Sequence, residues 1–270
     1  MIPWTRRRLL ASVGLAGAAV GSGAVTAMGA GAPLSYTSYA DAQTADPDAR
    51  VTVAWQETYN GTVLETQAGP GDGGATATLD PAREPRYVPS AGGPVVTLGD
   101  VLPGDDGRLA VGVNVESVPE TADGIDVWIS LDLSSDAENG VTEPEAAAGD
   151  RAGDGGELAD ALAVTVWDDR GVGGLGARDG RLSQFPVDGA LQLEPVLAEG
   201  SLRAAADALA PGQQLGHSCL TAGEGAALGF EWALPPDVGD AVQSDAAGFD
   251  VTVAAVACGT ANPFDGGADA

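Results

Sequence analysis

The chain contains no lysine and a single histidine, His217, among its 270 residues. Binding of nucleic acids or anionic membranes needs clustered basic side chains, but here 12 arginines stand against 39 acidic residues. Serine and cysteine hydrolases need a histidine or lysine beside the nucleophile, and zincins need two histidines on one helix. We therefore expect no catalytic residue, no cofactor, no nucleic-acid partner and no membrane partner for the mature chain. The many carboxylates allow glycosidase-like pairs, but nothing marks one out.

Cysteine is also scarce, and the two that are present, Cys219 and Cys258, each lie beside a predicted strand. In an exported protein such a pair favours a disulfide over two free thiols. The closed loop of about 40 residues would contribute roughly 4 kcal/mol in the chain-entropy model. The alternative is a metal site formed by His217, Cys219 and a carboxylate, although a lone histidine is more often an exposed turn residue.

Acidic residues are what the chain has in excess. The formal net charge is −27, and it becomes −30 without the first 32 residues, which hold three arginines and no acid. This charge opposes a compact fold at ordinary ionic strength, whereas at molar salt the Debye length shrinks to about 3 Å. Because 44% of the residues are hydrophobic and the acids are interleaved with them, we expect a folded domain with a solvated acidic surface in a high-salt habitat.

The N-terminal residues predict an export signal. Arg6 and Arg7 form a twin-arginine pair before an uncharged run of Gly, Ala and Val that ends near Met28. The alternative is an uncleaved membrane anchor, but the glycines make the run weakly hydrophobic. We therefore predict a secreted protein at the extracellular cell surface. The expected segments are a signal peptide over 1–32, a mature N-terminal segment over 33–50, a domain over 51–258 and a disordered acidic tail over 259–270.

Apolar and polar residues alternate at period two along most of the predicted domain. The clearest case is 125–133, where Ile, Val and Leu alternate with Asp, Trp and Ser, and we expect the aliphatic face to point into the core. A short helix is predicted over 201–210, with Ser201 as its N-cap and Pro211-Gly212 after its end. Length and pattern predict an all-β fold, a single antiparallel β-sandwich of jelly-roll type with one short helix. The other predicted strands are 51–55, 63–64, 95–98, 109–115, 163–167, 227–233 and 249–256.

Polar residues between the strands include candidate binding sites. Asn60-Gly61-Thr62 predicts a hairpin turn and is also an N-x-T sequon, so Asn60 is a candidate glycosylation site. Asp100, Asp105 and Asp106 could offer oxygens to calcium, but the spacing of a dedicated calcium loop is absent and simple hydration is the alternative. We interpret 134–157 as an acidic loop. Trp128 lies on the polar face of its strand, where it is either a packing residue or an interface and sugar-stacking residue.

Several segments resemble one known family. They are Gly124 to Glu145 (GIDVWISLDLSSDAENGVTEPE), the Pro103-Gly104-Asp105 turn, the strand end at Trp167-Asp168-Asp169 and the block from Cys219 to Cys258. This pattern resembles secreted proteins of halophilic archaea with SipW-dependent-type signal peptides, which are distantly similar to the camelysin and TasA biofilm-fibre family. Tyr39 to Thr44 departs from that family's aromatic-x-x-Asp-x-Glu mature start, which puts processing by the family's peptidase in doubt.

The resemblance implies a non-enzymatic structural protein of the cell surface or extracellular matrix. Fibres would form if segment 33–50 were donated as a strand to a neighbouring sheet, so the expected partner is another copy or another surface protein. The alternative is a carbohydrate- or calcium-binding surface module that uses Trp128 and the acidic loop, with a cell-envelope glycan as partner. A secreted metallopeptidase, as camelysin relatives are often labelled, is less favoured because the chain has no metal motif.

Overall fold

A computed structural model describes residues 38–41, 43–44, 49–64, 95–150, 155–170, 178–182, 184–185, 191–192 and 194–265. The predicted signal peptide, with Arg6 and Arg7, and the connection over 65–94 lie outside these residues. The described strands are β1 Ser38–Asp41, β2 Gln43–Thr44, β3 Arg50–Tyr59, β4 Thr62–Leu64, β5 Val95–Gly99, β6 Asp106–Ser117, β7 Ile125–Ala137, β8 Ala163–Asp168, β9 Gln184–Phe185, β10 Leu191–Gln192, β11 Val196–Ser201, β12 Gln213–Leu220, β13 Gly225–Ala233 and β14 Ala246–Ala257. The described helices are α1 Glu143–Ala148, α2 Leu158–Ala161, α3 Leu202–Leu209 and a 3-10 turn at Asp240–Val242.

The strands form two largely antiparallel sheets around one core. The first sheet has the order β1-β3-β6-β13-β8-β11, with β4 also paired to β3. The second has the order β12-β7-β14-β2, with β5 also paired to β14, and β2 is its parallel member. A separate pair is formed by β9 and β10. The predicted all-β, sandwich-like fold is therefore confirmed.

The core lies between β13 of the first sheet and β14 of the second. Phe230 and Phe249 stack across it with ring centroids 4.5 Å apart, and burying each ring contributes about 2 to 3 kcal/mol. On β7 the predicted inward face is buried as far as Leu131, whereas Leu133 is only half-buried. The alternating pattern thus identifies which face of each long strand meets the other sheet.

The stretch 134–157, predicted as a loop, is more ordered than the sequence suggests. Strand β7 continues to Ala137, and two short helices, α1 and α2, follow. Thr142 and Glu145 form a reciprocal capping box at the start of α1, and Gly149 ends the helix in the left-handed conformation, with φ of 103°. The expectation of a single helix was wrong. Helices α1 and α2 have only six and four residues, so neither is long enough for apolar residues to repeat along one helix face.

The predicted helix over 201–210 is present as α3. The hydroxyl of Ser201 accepts a hydrogen bond from the Ala204 N–H (3.2 Å), and four residues of α3 are buried between the two sheets. After β14 the chain forms turns through Asp265, and the Asn262 side chain donates to the Pro211 carbonyl (2.7 Å). The first part of the segment predicted as a disordered tail, 259–265, therefore contacts the domain. No helix of the described residues is long and apolar enough to cross a membrane.

Trp167 fits into the fold only because its neighbour across the ladder is a glycine. Val164 and Val166 project from one face of β8, and Trp167 projects from the other face. The Trp167 side chain is nevertheless fully buried. Gly229 of β13 is its direct partner in the register. A methyl group on Gly229 would overlap the Trp167 indole.

We expect Gly229→Ala to reduce the free energy of unfolding by about 2 to 3 kcal/mol, because the indole cannot move away in a packed interior. Chemical denaturation at molar salt measures the loss. Gly239→Ala is the matched control, since a methyl group there meets nothing within 4 Å and the φ of −71° suits alanine. Equal stability of the two variants would contradict this packing argument.

Candidate functional site

The structure joins Cys219 and Cys258 in the predicted disulfide, with their Cα atoms 4.9 Å apart. Asp126 holds both ends of the bridge: its Oδ1 accepts the Cys219 N–H (2.8 Å) and its Oδ2 accepts the Gly259 N–H (2.9 Å). The alternative metal site with His217 is excluded because Cys219 has no free thiolate, and His217 is exposed. Asp126 and both sulfurs therefore have a structural role.

Asp126→Ala should destabilise the fold by about 2 kcal/mol, because two partly buried N–H groups lose their acceptor. Thermal or chemical denaturation under oxidising conditions measures the effect. Asp123→Ala, at an exposed position three residues earlier, removes the same charge and should change stability by less than about 0.5 kcal/mol. A loss common to both variants would point to net charge rather than to the bridge.

Asn60 lies in the predicted turn between β3 and β4. Asn60 and Gly61 both have positive φ, 47° and 73°, as a tight hairpin turn requires. The Asn60 side chain is exposed, but its Nδ2 donates to Asp105 Oδ1 (2.8 Å) and its Oδ1 accepts the Asp106 N–H (2.9 Å). A glycan on Nδ2 would have to share that atom with Asp105. Glycosylation of Asn60 stays a prediction.

The three aspartates considered for calcium near this turn are not brought together. Asp105 accepts hydrogen bonds from Asn60, from the Tyr59 hydroxyl and from the Leu102 N–H (2.8 Å). Within the described part of the chain, Asp100, Asp105 and Asp106 do not form a group of converging ligand atoms. Asp105 instead ties the β3–β4 hairpin to the turn before β6.

Trp128, the candidate stacking residue, is only partly exposed on β7. The same polar face carries Asp126 and Ser130, and both are buried. The Ser130 hydroxyl donates to the Ala210 carbonyl at the end of α3 (3.1 Å). This face is covered by the disulfide region at one end and by the end of α3 further along, so it offers no open aromatic platform in the described residues.

A shallow depression of about 440 Å³ lies over the ends of β8, β11 and β13, beside α2. Its largest side chain, Trp232, is only 3% exposed, and Glu231 is paired with Arg108 (3.3 Å). The depression therefore lacks an exposed ring on which a sugar could stack.

A pair of buried acids ends β8, at the family-like Trp-x-Asp position. Asp169 accepts the N–H groups of Arg178 (2.9 Å) and Gly180 (2.7 Å), and Asp168 accepts the Gly216 N–H (3.0 Å). Burial raises the pKa of both carboxyls. Their hydrogen bonds anchor the turn at 178–180 and strand β12, which is a structural use.

The main candidate site lies where β7 ends and β14 begins. The last antiparallel pair of this ladder is Ala137 with Ala246, so the next residue outward on each strand is an acid. Helices α1 and α2 bring further carboxylates to the same place. We call the resulting group the acidic cluster, and its members are Glu138, Glu145, Asp150, Glu157 and Asp245.

Asp245 is one of the two most buried members of the acidic cluster and is only 1% exposed. Its Oδ2 accepts the N–H groups of Glu157 (2.6 Å) and Leu158 (3.1 Å). Glu157 is the N-cap of α2 but makes no capping bond with its own side chain, so Asp245 caps α2 from a distant segment. Its other oxygen, Oδ1, is buried, and no N–H or O–H donor of the described residues reaches it.

Glu145 is fully buried and holds the neighbouring backbone in place. Its carboxylate accepts the Thr142 N–H, the Ser244 N–H (2.7 Å) and the Ser244 hydroxyl (2.8 Å). Burial raises the pKa of Glu145, but these hydrogen bonds outweigh it and lower the pKa to about 2. Glu145 therefore stays ionised and fixes Ser244 beside Asp245.

Three other members of the acidic cluster have a raised pKa, in contrast to Glu145. Burial raises the pKa of Glu138, and the charges of Asp245 and Asp150 add to the effect. Burial likewise raises the pKa of Asp245 and Glu157, with further repulsion from neighbouring carboxylates. These carboxylates repel one another when all are ionised.

Protonation of Glu145 should destabilise the fold at low pH. Its pKa is about 2 when folded and 4.5 ordinarily, so its contribution is complete above pH 4.5 and is lost as the pH falls towards 2. Glu145→Ala should cost about 2 to 3 kcal/mol at pH 7, because three partly buried donor groups of Thr142 and Ser244 lose their acceptor. Denaturation from pH 7 to 2 should show a shallower acid limb in this variant than in wild type. An unchanged limb would contradict the role of Glu145.

The sequence predicted an acidic loop over 134–157, but it did not predict that Asp245 joins the acids of this loop in one cluster. A local signal was available for one part, since Thr142 and Glu145 have the capping-box spacing. Asp245 carries no such signal, because it is 88 residues from the N–H that it binds. No family model, curated protein or solved structure matches the chain, so the resemblance to the camelysin and TasA family stays a prediction.

Proposed function

We propose that the mature chain is a secreted structural protein of the cell surface or extracellular matrix, and that copies associate by exchanging their N-terminal strands. The main support for the proposal is the position of strands β1 and β2, residues 38–41 and 43–44. This short segment lies on an edge of both sheets, as β1 against β3 and as β2 against β14.

The main-chain pairing of this segment favours exchange because it is short. Strand β1 pairs with four residues of β3, Thr52 to Trp55, and β2 pairs with two residues of β14. The same pairs can form with the segment of a neighbouring copy, so exchange loses no hydrogen bonds. Only residues 45–49 separate this segment from β3, and such a short connection favours exchange between copies.

Two further features support an extracellular location. The sequence begins with a predicted twin-arginine signal, and disulfides persist mainly in oxidising compartments. The disulfide and the β-sandwich are compatible with a matrix protein that withstands conditions outside the cell. A high-salt habitat, expected from the charge, would screen repulsion between associated copies.

Assembly of the mature chain, residues 33–270, at molar salt tests the proposal. Light scattering and electron microscopy should reveal oligomers or fibres, because each copy can offer residues 38–44 to the next. A variant lacking residues 33–44 should stay monomeric, and it keeps the buried Ala49 and all of β3.

A synthetic peptide of residues 33–48 sharpens the test. It should bind the truncated variant and block assembly of the full mature chain, whereas a scrambled peptide of the same composition should do neither. If the full mature chain is monomeric at every salt concentration, or if the truncated variant assembles equally well, strand exchange is wrong.

A further inference from the structure

The acidic cluster contains buried carboxylate oxygens that no donor satisfies. Besides Asp245 Oδ1, the Oε2 atoms of Glu138 and Glu157 are buried and receive no hydrogen bond from the described residues. Buried oxygens of this kind are costly unless a proton or a cation neutralises them. Asp245 carries the strongest requirement, because it is almost fully buried.

The carboxylates form two sets whose oxygens have the spacing of ligands to one ion. One oxygen each from Glu138, Asp150 and Glu157 lie within 4.8 Å of one another, and the same holds for Glu138, Glu145 and Asp245. Oxygens bound to one Ca²⁺ at about 2.3 to 2.6 Å lie at most about 5 Å apart. Glu138 is the residue that the two groups share, so an ion bound beside Glu138 would lie next to both groups.

We propose that the acidic cluster is a calcium site in which Glu138, Asp150, Glu157 and Asp245 are the protein ligands. Glu145 is a positioning residue, because its oxygens already accept hydrogen bonds from Thr142 and Ser244. The ion would connect the end of β7, the chain after α1, the start of α2 and the start of β14. This role is independent of strand exchange, which takes place at other edges.

The ligand chemistry selects calcium among common divalent cations. All four ligands are carboxylates, the hard oxygen donors that Ca²⁺ accepts in irregular geometry. Mg²⁺ requires near-octahedral geometry and keeps most of its water, and Zn²⁺ prefers nitrogen and sulfur ligands. The competing arrangement is a proton shared by Glu138 and Asp245, which each contribute an oxygen to a group within 4.8 Å.

Calorimetry on the mature chain, with CaCl₂ titrated into metal-free molar NaCl, tests the site. We expect one ion per chain with a Kd of about 10⁻⁴ to 10⁻³ M, as in other extracellular modules, and at least tenfold weaker Mg²⁺ binding. At about a hundredfold excess over Kd, calcium should raise the Tm by roughly 5 °C or more at constant ionic strength.

Two variants locate the ion. Glu138→Gln and Asp245→Asn keep the shape of each side chain and should weaken calcium binding at least tenfold. Glu143→Gln makes the same charge change at an exposed position in the first turn of α1, and its Kd should stay within twofold of wild type. If Asp245→Asn does not fold, hydrogen exchange on wild type replaces it, and calcium should slow exchange over 138–150 and 155–158 but not over 50–64.

Several results would overturn the proposal. One is a wild-type chain without saturable calcium binding, and another is equal weakening by Glu138→Gln and Glu143→Gln. A third is a pair of results: Glu138→Gln is more stable than wild type, and calcium does not change the Tm of wild type. Together these results would identify a shared proton instead of an ion.

Discussion

The long antiparallel pairing of β7 with β14 is the constraint on which the rest of the second sheet depends. Twelve residue pairs join the two strands, from Ile125 with Ala257 to Ala137 with Ala246. At one end of this ladder Asp126 of β7 accepts the Gly259 N–H, and the disulfide joins the end of β14 to β12. At the other end the ladder leaves Glu138 and Asp245 facing each other. The structural bridge and the candidate ion site are thus opposite ends of one pair of strands.

Several buried acids of the described residues have backbone donors as their hydrogen-bond partners. Asp126, Glu145, Asp169 and Asp245 each accept backbone N–H groups. Such bonds satisfy the buried carboxylate oxygens and also fix the backbone that donates them. Acids in this protein therefore do two things: those at the surface are hydrated, and those inside hold turns and helix starts in place.

Much of the fold could be predicted from the sequence, because strand alternation, the Asn60-Gly61 turn and the Ser201 cap are local signals. The same alternation did not indicate that Asp126 and Ser130 are buried, since it assigns a face to a residue but does not reveal what covers that face. The helices α1 and α2 were missed because they are too short for apolar residues to repeat along one helix face. Asp245 could not be assigned from sequence, because its partners, Glu157 and Leu158, are almost ninety positions away.

The position of β14 has a consequence for how the protein reaches its native state. This last of the described strands lies between β7 and the strands β2 and β5, so the second sheet lacks its central member until residue 257 is available. Glu145 and its partner Ser244, 99 residues apart, likewise meet only late. Non-local contacts of this kind make folding slow, because a long loop must close before they form. A chain with this order of strands stays incompletely folded during synthesis and closes its second sheet only once its C-terminal part has been made.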